Sequence, residues 1–435
     1  MSTHNSIGMS RILASVVSMI LIGSSATEAE DTIVSIPEPL SLSWCLERAR
    51  EANPSLARAN AMASAAAHRI RPAGSLDDPR FTYDVSNIPT GDFDFDSTPL
   101  SGHQLGLRQK LPVPGLLGKR LNAAKNGAEA VQLLAEDQQI LIDAAVESAW
   151  AELAFAQRAI EITNRNIALL RQLASTAESR YRVGSGLQQD VLRAQVELTA
   201  LLRERLGRDE AIAIAEATLI ALLDLPGESR LPMTDALQSS RDLPGLPPLL
   251  ARLGTNHARL RSSKKRVEEA RLRIRVAELE GFPDFDIGVG YRVRTNVAGD
   301  PVNGDDFISA GVTIRLPVNR SKWRSRVAER RAMLRGAQAE VRDVRVKLVA
   351  QTRSAHAALV RARSEESLLA TGLVPQARQS LAASRSAYEV GRIEFLSLLD
   401  SQVRLLGAEL RLVRARADIR LAYAALEIAS GEKLQ

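Results

Sequence analysis

One uninterrupted stretch decides the fold of this chain. Residues 128–183 read AEAVQLLAEDQQILIDAAVESAWAELAFAQRAIEITNRNIALLRQLASTAESRYRV, 56 residues without a glycine or a proline. Strong helix formers dominate the stretch, which therefore predicts a single continuous helix. At 1.5 Å per residue this helix would be about 84 Å long. Many of the apolar positions at helical spacing are alanine, and such small side chains let neighbouring helices pack closely along their length.

The long helix is predicted to be one arm of an antiparallel hairpin. It ends at residues 181–186 (YRVGSG), where two glycines permit a tight reversal. A second helical run over residues 187–225 then folds back along the first. The chain therefore contains a long helical hairpin rather than the core of a compact globular domain.

The order strand, strand, long hairpin occurs twice. Leu111 in the sequence LPV matches Leu316 at an offset of 205 residues, and Tyr181 in YxVG matches Tyr388 at an offset of 207. Offsets this similar over such a span indicate an internal duplication. The predicted parts are a first repeat at 30–224 with its tip at about 181–187, a proline-rich connector at 225–248, and a second repeat at 249–435 with its tip at about 388–394.

Each repeat contributes two predicted strands with one apolar and one small or polar face. The alternation places them at about 80–88, 103–111, 283–292 and 306–316. Two interpretations fit: a membrane barrel with a wet lumen, or a soluble two-sheet domain with one buried face. A sheet that spans a bilayer must close, and four strands are too few to close alone. If these strands cross a membrane, several chains share one barrel, with two giving eight strands and three giving twelve.

Several local features carry further predictions. An apolar run at residues 12–22 follows Arg11 and precedes small residues, which predicts a signal peptide over residues 1–29, cleaved after Ala26 or Ala29. No later apolar run is long enough for a transmembrane helix. Ser41 or Ser43 is expected to cap a helix running to about residue 70, with Cys45 buried or half-buried in it. Pro375 is expected to kink or interrupt the second long helix.

The composition argues against catalysis and against nucleic-acid binding. The net charge of +6 is dispersed among alternating arginine and glutamate, with no basic block interleaved with aromatics. No CxxC, HExxH, nucleophile elbow or phosphate loop is present, so we expect no metal, no cofactor and no enzymatic activity. The loop acids lack the spacing of a calcium site and are expected to be solvated: Asp92, Asp94, Asp96, Asp300, Asp305 and Asp306.

The duplicated tip sequences YRVGSGLQQDVLRAQ (181–195) and YEVGRIEFLSLLDSQ (388–402) resemble the TolC-like outer-membrane factor family. The strand-to-helix junctions RQKLPVPG and TIRLPVN and the sequence VPQARQSL add to the resemblance, and DPRFTYDVSNIP resembles the branch paired with heavy-metal pumps. The resemblance implies a mainly α fold with a small β part. It also implies a homotrimer whose twelve-stranded outer-membrane β-barrel continues as a periplasmic α-helical tunnel. The implied partners are outer-membrane lipid, a periplasmic adaptor (membrane fusion protein) and an inner-membrane transporter of RND type.

The same resemblance implies roles for the tip residues. In the family the tips dock onto the adaptor and open like an iris. Val183, Gly184 and Leu187 in the first tip match the family's docking element, as do Val390 and Gly391 in the second. The alternative is that the glycines merely permit the turns, and both interpretations can hold together.

Two acids just beyond the turns are candidates for a periplasmic gate. In a threefold assembly Asp190 and Asp400 would each form a ring of carboxylates that attracts cations and repels anions. The alternative is an exposed acid near a helix start, favoured there by the helix dipole. Both interpretations stay open at this stage.

The function implied is a passive exit duct of a tripartite efflux pump, with energy supplied by the inner-membrane transporter. Two other functions remain open: a type I secretion duct, and a periplasmic helical-hairpin adaptor or scaffold that forms no channel. An adaptor would be expected to carry a lipoyl-like β-domain, and none is found in the sequence. The sequence does not identify the substrate, whether metal ion, drug or peptide.

Overall fold

The computed structural model describes residues 35–91, 93, 98–237 and 242–434. The predicted signal peptide and the loop acids Asp92, Asp94 and Asp96 lie outside these residues. In chain order the elements are α1 (Leu42–Ala52), α2 (Pro54–His68), α3 (Ile70–Gly74), β1 (Arg80–Ser86), β2 (Gly102–Leu111), α4 (Leu116–Arg182), α5 (Gln188–Leu223), α6 (Leu246–Asn256), α7 (Ala258–Leu279), β3 (Asp284–Val293), β4 (Phe307–Arg315), α8 (Arg320–Leu368), a π-helical turn (Leu369–Leu373), α9 (Val374–Glu389) and α10 (Phe395–Ser430).

The long helix is the centre of the molecule. α4 has 67 residues, which corresponds to about 100 Å. It packs against α2, α5, α7 and α10 along its length, and Trp150, Leu153 and Leu170 are fully buried in these contacts. Many of its other buried positions are alanine, as the close packing of neighbouring helices requires. The fold is mainly α with a small β part, as predicted. None of the helices among the described residues is long and apolar enough to cross a bilayer.

The N-terminal helical region differs from the predicted single helix. The Ser41 side chain caps α1 by accepting a hydrogen bond from the backbone N–H of Trp44, as one of the two predicted caps. The helix then ends at Ala52, because Pro54 has no N–H to continue it. The Asn53 side chain accepts from the N–H groups of Ser55 and Leu56 and starts a new helix, α2. The prediction of one helix to residue 70 was therefore wrong.

The second long helix is interrupted where Pro375 predicts a disturbance. α8 passes into the π-helical turn, and Pro375 lies in the first turn of α9. Proline cannot donate to the carbonyl one turn earlier, so the helix widens locally instead of keeping the α-helical pattern. The first repeat has Ala168 at the matching position, inside the unbroken α4.

All four strands form one antiparallel sheet in the order β1-β2-β3-β4. The central pair, β2 with β3, joins the two repeats, with Gly106 opposite Gly290 and Leu107 opposite Val289. Among the described residues β1 and β4 have no further strand beside them, so each presents an open edge.

The connector between the repeats is anchored on the middle of α4. Thr234 forms a parallel bridge with Leu40, and the Trp150 indole N–H donates to the Leu40 carbonyl at 3.0 Å. The Gln157 amide group donates to the Pro232 carbonyl and accepts from the Thr234 N–H. The leader before α1 and the connector thus meet on α4 over about two helical turns, between Trp150 and Gln157.

Candidate functional site

The sheet has one polar face and one apolar face, because side chains alternate along each strand. The polar face carries small and hydrophilic residues: Thr82, Asp84, Gln104, Gly106, Arg108, Gly288, Gly290, Ser309, Gly311 and Thr313. The opposite face carries exposed Phe, Tyr, Leu, Ile and Val side chains from every strand. An exposed apolar surface of this extent indicates contact with lipid or with another chain.

Charged residues are concentrated on the polar face where the strands meet the helices. Asp284, at the start of β3, is buried and forms ion pairs with Arg315 at 2.7 Å and Lys110 at 3.4 Å. Arg120 of α4 pairs with Glu280 at 2.7 Å in the same cavity. Cations and carboxylates in this cavity are therefore largely matched with each other.

The loops at the far end of the sheet contain a buried ion pair. Arg294 donates to the Asp300 carboxylate at 2.8 Å, and both side chains are almost fully buried. The guanidinium also donates to the Pro99 carbonyl and lies over the Phe307 ring at 4.3 Å. The prediction of a solvated acid was wrong for Asp300, since its partner six residues earlier shields it from water.

The two hairpin tips have the same backbone structure. Gly184 and Gly391 have φ angles of +74° and +75°, a left-handed conformation that strains any residue with a Cβ. In the first tip the Ser185 N–H donates to the Arg180 carbonyl at 2.9 Å and the Gly184 N–H donates to the Tyr181 carbonyl at 3.0 Å. The same pair of hydrogen bonds, at the same distances, closes the second tip. This is the Schellman arrangement, which ends a helix while satisfying its last carbonyls.

Apolar side chains project into solvent at both tips. Val183 is 77% exposed, Leu187 is 65% exposed, and Val390 is 68% exposed. Exposed apolar side chains that occur together on a protein surface mark a site where another molecule binds. The predicted docking residues thus lie together at the tips, next to the two glycines.

Arg180 ties the first tip to the second. Its guanidinium donates a hydrogen bond to the Tyr388 carbonyl and lies over the Tyr388 ring, 4.9 Å from the centroid. Tyr388 is 5% exposed and packs edge-on against Phe395, with the ring centroids 5.6 Å apart. Tyr181 occupies the same place in the first tip but is 45% exposed. Arg180 was not predicted as a functional residue, and its one signal in the sequence is that the second repeat has Ala387 at the matching position.

The two candidate gate acids have different surroundings. Asp190 lies half-buried in the first turn of α5, and its charge acts on Tyr388, whose pKa is raised chiefly by burial and further by Asp190. Asp400 is exposed and forms an ion pair with Arg404 one turn later, at 2.7 Å. Among the described residues no hydrogen bond or ion pair joins Asp190 to Asp400 within one chain.

The comparison with protein families follows the same duplication. The sequence profile of the family described as outer membrane efflux protein matches residues 45–224 and again 249–432. The chain belongs to the outer membrane efflux protein family. The two matched segments fall on either side of the connector, so each repeat by itself carries the family pattern.

Individual members of the outer membrane efflux protein family are distant relatives. The chain is 23% identical to the outer membrane efflux protein BepC of Brucella suis over 68% of its own length and 64% of BepC, less than two thirds of that protein. It is 24% identical to the cobalt-zinc-cadmium resistance protein CzcC of Cupriavidus metallidurans over 68% of this chain and 69% of CzcC. The solved structure of the outer membrane protein VceC from Vibrio cholerae superimposes with a TM-score of 0.75 over 91% of this chain and 97% of VceC, at 20% identity. This likeness shows a shared fold.

Proposed function

We propose that three copies of this chain form the outer-membrane exit duct of a tripartite efflux pump. The observation that carries the proposal is the four-stranded sheet, with one exposed apolar face, one polar face and two open edges. Lipid cannot satisfy open edges, so the edges of β1 and β4 must pair with other copies of the sheet. Three copies give a closed barrel of twelve strands with the apolar face toward lipid and the polar face toward water.

The helices continue this barrel as a periplasmic tunnel. α4 follows directly from β2, and α8 follows directly from β4, so the polar face of the sheet leads into a bore lined by the long helices. The tips then lie at the far end of the bore, about 100 Å from the sheet. In this arrangement the chain offers a passive path, and an inner-membrane transporter, which we propose to be of the RND type, supplies the energy.

The tips serve as the docking site for the periplasmic adaptor. Val183, Leu187 and Val390 supply exposed apolar contacts, and Gly184 and Gly391 hold the turns that present them. Asp190 is the stronger of the two gate candidates, since Asp400 already has its charge neutralised by Arg404. Metal ions, drugs and peptides stay the candidate substrate classes. One relative, CzcC, is named for resistance to cobalt, zinc and cadmium.

The type I secretion duct is the second candidate, because the same bore would conduct an unfolded peptide. Family membership favours either duct over a soluble adaptor. The first test is native mass in mild detergent on protein extracted from separated inner and outer membranes. The proposal expects a species of three chains, each 47.3 kDa less its signal peptide, confined to the outer membrane. A single chain released from the soluble periplasmic fraction would refute it.

A further inference from the structure

Arginine side chains form a stripe along one side of α8. Arg320, Arg324, Arg331, Arg335 and Arg342 follow one another at intervals of four, seven, four and seven residues and are all exposed. These intervals keep side chains on a single face of a helix. Among the described residues only Arg331 of this set reaches a carboxylate, Glu278 at 3.6 Å. The stripe is thus a row of cations with little internal neutralisation.

The four arginines of the stripe nearest the sheet, which are residues 320, 324, 331 and 335, line a groove between α7 and α8 with a volume of about 1310 Å³. The end of the groove next to the sheet is apolar and includes Phe282, Pro283, Leu316 and Val318. Leu316 and Val318 are 66% and 84% exposed, and Leu316, directly after β4, keeps the alternation of Ile314 on the apolar side of the sheet. An apolar rim therefore leads directly to a cluster of arginines.

The charge of this groove differs from that of the cavity on the polar side. Four arginines (320, 324, 331 and 335) face one carboxylate, Glu278, giving an excess of three positive charges. Glu278 is itself bound by Arg275 at 2.7 Å. The cavity on the polar side has five cations against four carboxylates, and ion pairs join most of them. The excess of positive charge thus lies on the side that would meet lipid.

We propose that this groove binds an anionic phospholipid from the periplasmic leaflet of the outer membrane. The inference rests on the proposed barrel, which places the apolar face of the sheet in the bilayer. The phosphate headgroup lies against Arg324, Arg331 and Arg335, and the acyl chains lie against Phe282, Leu316 and Val318. A guanidinium fork matches the geometry of a phosphate oxygen pair, and cations next to a membrane surface attract acidic lipid.

The duplication supplies an internal comparison. At the 205-residue offset that relates Leu111 to Leu316, the positions of Arg324, Arg331 and Arg335 correspond to Lys119, Asn126 and Ala130. The helix after β2 therefore lacks the stripe, although it follows a strand in the same way. The arginines are a property of one repeat, as expected for a specific site and not for a general feature of the strand-to-helix junction.

The test compares two triple variants of the full chain, purified in mild detergent. One removes the groove cations (Arg324→Gln, Arg331→Gln, Arg335→Gln). The matched control removes three exposed arginines of the same helix that lie outside the stripe (Arg345→Gln, Arg353→Gln, Arg361→Gln). Native mass spectrometry measures binding of phosphatidylglycerol from mixed micelles, with phosphatidylcholine and inorganic phosphate as the other two probes.

We expect the wild-type chain and the control to prefer phosphatidylglycerol over phosphatidylcholine. The groove variant should lose affinity for phosphatidylglycerol about tenfold or more, because three cations that attract the acidic headgroup are removed. Equal binding by the groove variant overturns the inference. Inorganic phosphate binding as tightly as the lipid also overturns it, in favour of a site for free phosphate. Dissociation of the groove variant alone into single chains overturns it too, and makes the stripe a contact between copies.

The lipid measurement is independent of the duct. The inner and outer membranes are separated before extraction to locate each chain, and the purified chains are then tested for conductance in planar bilayers. A wild-type chain that is found in the outer membrane and conducts ions, but binds no acidic lipid, would refute only the lipid site. A chain found outside the outer membrane sinks the duct and, with it, the membrane placement on which this inference depends.

Discussion

Replacing Arg180 with alanine is expected to separate the two hairpin tips. The guanidinium donates to the Tyr388 carbonyl and covers the Tyr388 ring, and alanine removes both contacts. A hydrogen bond from a charged group contributes about 1.5–3 kcal/mol, and an exposed cation–π contact adds about 0.5–1 kcal/mol. Because Arg180 is only half-buried, we expect a loss of about 2–3 kcal/mol, which shifts the equilibrium between joined and separated tips about 30- to 150-fold.

Spin labels at the tips measure this shift. Val183→Cys and Val390→Cys place labels at exposed positions, one on each tip. Cys45, the one natural cysteine, is buried, and burial raises its pKa to about 12, so it stays unlabelled. Pulsed electron–electron double resonance on labelled chains diluted with unlabelled chains gives the distribution of distances between the two labels. We expect Arg180→Ala to broaden the distribution and move it to longer distances.

A neighbouring arginine provides the control. Arg182 lies two residues away, and its exposed side chain reaches no carboxylate in the described part of the chain other than Glu178, at 4.0 Å. Arg182→Ala should leave the distribution unchanged. Unchanged distances in Arg180→Ala, or an equal shift in Arg182→Ala, would show that the tips are held by packing around Tyr388 and Phe395 and that the reasoning about Arg180 is wrong.

Three further changes test other parts of the structure. Val312→Arg places a charge on the apolar face of β4 and should reduce the stability of the assembly by about 2–4 kcal/mol at mid-membrane, whereas Thr313→Arg on the polar face should be tolerated. The yield of heat-resistant assemblies in the outer membrane measures both effects, and equal yields would contradict the assignment of the faces. Gly391→Ala forces a Cβ into a left-handed turn and should destabilise by about 1–2 kcal/mol, while Gly407→Ala, in open space on α10, should be neutral or stabilising by thermal unfolding; similar effects at both sites would rule out strain as the cause. Burial lowers the pKa of His257 from 6.5, so the native state binds fewer protons than the unfolded chain, and the free energy of unfolding should fall as the pH drops through 6.5 and below. His257→Gln can keep a donor to the Ile428 carbonyl and an acceptor for the Arg259 N–H, and it should lose this part of the pH dependence. An unaltered pH profile in this variant would exclude His257 as its source.

The local features of the fold could be predicted because they are encoded locally. The glycine-free run of helix formers predicts α4, and the period-2 alternation predicts strands with two unlike faces. The disturbance at Pro375 follows from the missing N–H of proline. The break after Asn53 could have been predicted in the same way, since Pro54 is visible in the sequence and Asn53 is a strong helix cap.

Contacts between distant parts of the chain could not be predicted. Arg180 reaches Tyr388 across 208 residues, and nothing near Arg180 in the sequence specifies that partner. The burial of Asp300 depends on how two loops fold over Arg294. The closed barrel needs neighbours for β1 and β4, and a single sequence or a single chain contains no information on how many copies meet there.

The π-helical turn before α9 takes up half of a difference in length between the two repeats. From Leu111 to Tyr181 there are 70 residues, but from Leu316 to Tyr388 there are 72. Each residue added to a helix rotates everything beyond it by about 100° and lengthens it by about 1.5 Å. A π turn holds one residue more than an α turn, so it takes up one of the two extra residues without that rotation. Deleting one residue from the turn should therefore remove the wide turn and keep the phase of α9, so that Tyr388 still faces Arg180 of the first repeat.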